Sequence, residues 1–173
     1  MSPDAPYLKM AQNNAWANQT LYAALAGMSE RAFAAARPGF FPSLSATLNH
    51  IFAVDLFYCD ALSMAGRGLA VFNHTQIDAP QTLAVRHAEA DARLISFCNT
   101  LTPAILPSTR LVARRTGPTH ETVSALLLHL FQHQIHHRGQ AHVQLQTAGL
   151  APPQLDDFHL EFERAESAQS ATP

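Results

Sequence analysis

Charge is scarce in this chain of 173 residues. Only 14% of the positions are Asp, Glu, Lys or Arg, and 11 basic against 13 acidic residues leave a formal net charge of −2. That balance provides no basic field for nucleic acid. Cysteine is nearly missing as well: Cys59 and Cys98 stand alone, which excludes a CxxC redox pair or a thiolate zinc site. Both are expected to be reduced, buried small residues of a cytoplasmic protein. No apolar run reaches the roughly 18 residues of a membrane span. The start "MSPDAPYLKM" lacks a basic n-region followed by an apolar stretch, so no export signal is expected. A P-loop, a Rossmann glycine fingerprint and a G-x-S-x-G elbow are absent too.

What remains is a hydrophobic chain (47%) of ordinary single-domain length. We expect one domain over residues 1–165 and a flexible tail over 166–173. Four stretches carry helical periodicity between Pro, Gly, Asn and Ser breaks. The first runs from about Tyr7 to Met28 and ends at "ARPGFFPS". Ser43 is a good N-cap for the second, "LSATLNHIFAVDLFYCDALSMAG", which Gly66 stops. The third spans about Thr82 to Leu101, and the longest runs from about His120 to Ala148. Between the last two, "TPAILPSTRLVARRTGPT" reads as a short hairpin or extended linker, because two prolines and a β-leaning "TRLVARR" exclude a long helix. The basic "RLVARR" reads as a solvated strand. Four amphipathic helices predict an all-α four-helix bundle. Its two connections of roughly 15 residues exceed usual bundle loops, which predicts that the helices are not simple up-and-down neighbours.

Residues 133–142 read "HQIHHRGQAH", four histidines in ten positions. At 100° per residue, Val123, Leu126, Leu130, Ala141 and Ala148 define the core face of this helix. His137 lies about 30° and His133 about 70° from its centre, whereas His129 and His142 fall near 110° and His136 near 130°. On the second helix, Ser45, Asn49, Asp60 and Ser63 mark a wet face, and His50 lies about 65° from the centre of the opposite, dry face. Three inward imidazoles are costly unless their nitrogens are satisfied, and a metal ion satisfies them together. His133 and His137, spaced i, i+4, share one helix face, and His50 completes a three-histidine set from a facing helix. Such donors suit zinc, nickel, iron or copper and leave a position open. The remaining histidines, His74, His87, His120, His129, His136, His142 and His159, read as surface or capping residues. Phe52, Leu56, Leu128 and Ile135 lie outside the inferred core faces, as a dimer surface or as scattered exposed residues.

"HLFQHQIHHRGQAHVQLQTAGLAPPQLD", with "LNHIFAVD" far upstream, resembles the DinB family of damage-inducible bacterial proteins and its YfiT-like metalloenzyme relatives. The likeness covers nearly the whole chain, and its specific part is HxxxHRGQ plus the upstream histidine. It implies a four-helix bundle, a homodimer, and a divalent ion held by His50, His133 and His137, with zinc or nickel first and iron or copper after them. Arg138 and Gln140 complete the signature. Gly139 would permit close helix contact, Gln140 would hydrogen-bond His137, and Arg138 would pair with the acidic C-terminal segment. Some relatives are S-transferases or isomerases that use bacillithiol, mycothiol or glutathione, which implies a small thiol and an electrophile as partners and leaves a non-catalytic, metal-binding dimeric stress protein as the alternative. Other metal chemistries fit less well: "HQIHH" lacks the glutamate of HExxH, and "ETVSALLLH" lacks the Glu-x-x-His of a di-iron bundle. Cys59, more than two turns from His50, is not counted as a ligand.

Overall fold

Ser43 begins the longest buried element: its hydroxyl accepts from the Ala46 N–H at 3.0 Å and starts helix α3, Leu44–Ser63. The structure, a computed structural model, describes residues 5–73 and 76–156. Helix α1 spans Ala5–Ala23, a short α2 spans Glu30–Ala34, α4 spans Pro80–Cys98 and α5 spans Val123–Thr147. A 3-10 turn, Gly68–Asn73, follows α3, and strands β1 (Thr109–Val112) and β2 (Thr119–Thr122) form an antiparallel hairpin pairing Leu111 with His120.

The all-α bundle is therefore built from α1, α3, α4 and α5, with the hairpin as its one β feature among the described residues. Around the bundle α1 packs on α4, α4 on α3, α3 on α5 and α5 on α1. Sequence neighbours α1 and α3 lie across a diagonal, as do α4 and α5. The connections over residues 24–43 and 99–122 span those diagonals, whereas the one over residues 64–79 joins the adjacent α3 and α4.

Three boundaries differ from expectation. The first helix ends at Ala23, and Gly27, at φ +80°, turns the chain before α2. Met64, not Gly66, closes α3 in the left-handed region at φ 56°. The last helix begins at Val123, with the Thr122 hydroxyl accepting from the Ala125 N–H, so His120 lies in β2 and not in a first helical turn. Pairing with β1 satisfies the backbone there and overrides the helical pattern.

Of the expected wet face of α3 only Ser63 is exposed, because this helix touches α2, α4, α5, the 3-10 turn and β1. Ser45, Asn49 and Asp60 are buried and bind loops instead of water. The Asn49 amide exchanges two 2.9 Å hydrogen bonds with the Ile77 backbone, and the Asp60 carboxylate accepts from the N–H groups of Arg67 and Gly68. Phe52 is buried, so it is no dimer surface, whereas Leu128 and Ile135 on α5 are 60% and 54% exposed. No helix among the described residues is long and apolar enough to cross a membrane.

Candidate metal centre

His50 comes from α3, and His133 and His137 come from successive turns of α5. Packing of α3 on α5 brings the three together: their ligand nitrogens all lie within 4.8 Å of one another. The Nε2 atoms of His50 and His133 are 2.9 Å apart. The ring centroids stand 4.9 Å apart for His50 and His133, 4.7 Å for His50 and His137, and 4.4 Å for His133 and His137.

Two lone pairs at that distance repel unless a proton or a cation lies between them. A single proton serves one pair of nitrogens, and here a third converges on the same point. The edge of a tetrahedron of nitrogens about zinc is about 3.3 Å, so the donor set needs little adjustment. His133 Nδ1 is buried with no hydrogen-bond partner among the described residues. The donor set therefore fits a divalent ion of the borderline class, and no fourth His, Cys, Asp or Glu shares the cluster among the described residues.

Electrostatics favour the ligand form. Burial, with the neighbouring His137, lowers the His50 pKa to about 4. Burial and the surrounding imidazoles lower that of His133 to about 3. Burial lowers His137 too, against the pull of its hydrogen bond to Gln140. All three are neutral at pH 7, as coordination requires. The His137 Nδ1–H donates to Gln140 Oε1 at 2.8 Å, while Gln140 Nε2 meets His136 Nε2 at 3.0 Å. The amide thereby fixes the tautomer that leaves the His137 Nε2 lone pair toward the cluster.

A loop that sequence reasoning treated only as a helix breaker covers the site. The Phe41 ring lies 4.5 Å from His50 and 5.5 Å from His137, and Phe40, 77% exposed, lies 6.3 Å from His137. Buried Gln144 anchors this loop: its Nε2 donates to the Phe41 carbonyl at 2.8 Å, and its Oε1 accepts from the Thr47 hydroxyl at 2.8 Å. Gly39, at φ +155°, sits so close that an added Cβ would lie 2.9 Å from Gln144 Nε2. Two aromatics between a glycine and a proline were the available signal.

The other histidines divide. His129 and His136 are exposed, and half-buried His142 bonds the Pro153 carbonyl. His74 and His159 lie outside the described residues. His87 is not a surface residue: it is 1% exposed in a second polar cluster at the bundle centre. Its Nε2 lies 2.9 Å from Asp55 Oδ2, and its Nδ1 lies 3.0 Å from the Tyr22 hydroxyl. Asp91 accepts from the side-chain amides of Asn14 and Asn18. Arg138, 5% exposed, donates to the amide oxygens of Asn14, Asn18 and Gln134. Its expected partner segment, from Asp157 onward, lies outside the described residues.

Burial alone would lower the His87 pKa, but the Asp55 hydrogen bond and the two carboxylates raise it. Burial pushes Asp91 up to about 6, against His87 and Arg138. Asp55, His87 and Asp91 also have metal-compatible spacing. Both His87 nitrogens, both Asp91 oxygens and Asp55 Oδ2 already have protein partners, which leaves Asp55 Oδ1 as the one ligand atom of the three residues without one among the described residues; with Arg138 supplying the positive charge, this cluster reads as a structural ion layer. Gly139 is exposed and an added Cβ would meet nothing within 4 Å, so it makes no close helix contact.

A family model described as DinB family matches residues 1–168. Protein DinB of Bacillus subtilis (strain 168) is 27% identical over 157 residues, covering 86% of this chain and 89% of that protein. The crystal structure of a DinB-like protein from Bacillus cereus ATCC 10987 superposes with a TM-score of 0.62 at 18% identity, covering 80% of this chain and 90% of that one. The bundle, its diagonal connections and the signature on α5 thus have one common explanation: the chain belongs to the DinB family.

Proposed function

We propose that this chain is a divalent-metal protein whose ion is held by His50, His133 and His137, and that it acts on a small thiol as an S-transferase or related metalloenzyme. The observation that carries the metal reading is the convergence of three neutral imidazole nitrogens from two helices on one point. Imidazole donors accept zinc, nickel, iron or copper, with availability deciding among them; we take zinc or nickel first. With three protein donors, a position stays open to an exchangeable ligand. A bound divalent ion supplies Lewis acidity there, lowering the pKa of a coordinated thiol or water.

The chain's own groups set the terms of that chemistry. Gln140 holds the His137 tautomer, and Phe41 shields His50 and His137 from water on one side. Burial pushes the thiols of Cys59 and Cys98 up to about 12, so neither is a thiolate at neutral pH. The nucleophilic sulfur must therefore come from a small molecule. A non-catalytic, metal-binding homodimer is the second reading, favoured by Leu128 and Ile135 exposed along α5.

Metal analysis of protein purified without a polyhistidine tag is expected to find about one ion per chain, and His137→Ala is expected to lose it while staying folded. Full occupancy in that variant would refute the ligand set. Turnover of an electrophile only with added thiol and metal supports the transferase, and metal binding without turnover across a panel of thiols favours the dimer.

A further inference from the structure

Beyond the histidines, on the side of His133 that faces the hairpin, lies a cleft of about 210 Å³. Phe57, Tyr58 and Phe72 line it with Arg114, Arg115 and the exposed His129, and half-buried His133 marks its inner end. Among the described residues no aspartate or glutamate lines it. The two arginines differ in state. Arg114 is committed: it forms a bidentate pair with Glu121 at 2.8 and 2.7 Å, and its guanidinium lies over the Phe57 and Tyr58 rings at 5.8 and 5.7 Å. Arg115 is exposed and has no hydrogen-bond or ion-pair partner among the described residues. The lip is apolar as well as basic, since Phe72 is 42% and Leu69 41% exposed.

We infer that this cleft binds a small organic anion, a flat apolar group bearing a carboxylate or similar oxyanion, with Arg115 as its charge partner. Sites for drug-sized ligands occupy roughly 300–1,000 Å³, so the smaller volume here suits one ring and its acid group. Glu121 neutralises Arg114, which leaves Arg115 as the uncompensated charge. A planar guanidinium at the mouth matches a carboxylate in two parallel hydrogen bonds. Arg114 covers the Phe57 and Tyr58 rings, so the ligand's ring packs against the exposed Phe72 and Leu69 at the lip. The inference rests on the proposed metal centre only for what the ligand would meet at the inner end; capture of the anion stands on the cleft itself.

The test uses benzoate and its neutral analogue benzamide, titrated into metal-stripped and metal-loaded full-length protein, with saturation-transfer NMR for affinity and the His129 and His133 ring resonances for location. In the metal-stripped protein benzoate is expected to bind about tenfold more tightly than benzamide and to shift the His129 ring. Arg115→Ala should erase that preference, and Arg31→Ala, a surface control, should leave it intact. Equal binding of the two compounds, benzoate binding unchanged in Arg115→Ala, or no binding of benzoate up to about 10 mM would overturn the inference. Because the metal-stripped arm needs no ion, failure of the metal centre leaves this result readable. Metal binding without anion preference would defeat the cleft alone.

Discussion

Arg138→Met tests whether the central ion layer supports the bundle. The guanidinium is 5% exposed, donates to three side-chain amide oxygens, and lies in the field of Asp55 and Asp91. Methionine fills much of the volume but supplies no donor. Three amide oxygens then lose their partner, and His87 faces two buried carboxylates alone. Leaving three buried amide oxygens unpaired, at about 1–3 kcal/mol each and with relaxation recovering part of it, costs about 3–5 kcal/mol. Against a total stability of about 5–15 kcal/mol that is a large fraction. At about 2–4 °C per kcal/mol for a domain of this size, the melting temperature should fall by about 6–20 °C. Urea denaturation gives the free energy and calorimetry the melting shift. The companion variant Asp91→Asn removes one of the stranded carboxylates. In the double variant the loss should therefore be smaller than the sum of the single losses by about 1 kcal/mol or more. A loss under about 1 kcal/mol in Arg138→Met, or additivity within about 0.5 kcal/mol, would refute the layer as a coupled unit.

Two further outcomes follow from single residues. Gly139→Ala should stabilise the fold by about 0.5–1 kcal/mol, since the site is helical, exposed and sterically open, and glycine there costs backbone entropy; a destabilised variant in the same denaturation assay would show that the glycine has a packing role. Proton competition for the metal should be weak. Two ordinary imidazoles with pKa near 6.5 would cost about a hundredfold in affinity on going down to pH 5.5, whereas His50 and His133, at about 4 and about 3, remain almost wholly neutral there. The same shifts fix the sign for the metal-free fold: the unfolded chain takes up protons below about pH 6.5 that the folded one refuses, so these two groups withdraw stability as pH falls through that point. A chelator competition at pH 7.5 and 5.5 that shows the hundredfold loss would contradict the burial of these rings.

The histidine cluster was readable because its geometry is local. His133 and His137 need only helical pitch to share a face, and Ser43 as an N-cap fixes where α3 begins and hence where His50 points. The polar residues of α3 misled for a physical reason: Asn49 and Asp60 are buried and their hydrogen bonds go to backbone groups of chain segments that follow the helix. A side chain that satisfies a loop has the same chemistry in a sequence as one that meets water. His87 was misread on the same ground, since its partners Asp55 and Tyr22 come from two other helices. The aromatic cover needed still more, because Gln144, far along the chain, anchors Phe41 over His50.

The two polar centres are coupled through the helices that carry them. On α5 the site residues His133 and His137 precede the ion-layer residues Gln134 and Arg138 by one position each, so two i, i+4 pairs stand about 100° apart around one axis. On α3, His50 and Asp55 differ by five residues and face different sides of the helix. Ion-layer bonds therefore fix how α3 and α5 are rotated about their own axes. With side chains reaching about 6 Å from a helix axis, a rotation of 20° moves a ring nitrogen by about 2 Å, whereas a metal site tolerates deviations of about 0.2 Å. Apolar packing alone constrains such rotation loosely, because leucine and valine faces can slide and repack. A buried guanidinium with three oriented acceptors cannot turn without stranding charge. The RGQ that follows His137 thus divides by role: Arg138 fixes the rotation of the helix, and Gln140 fixes the imidazole on it.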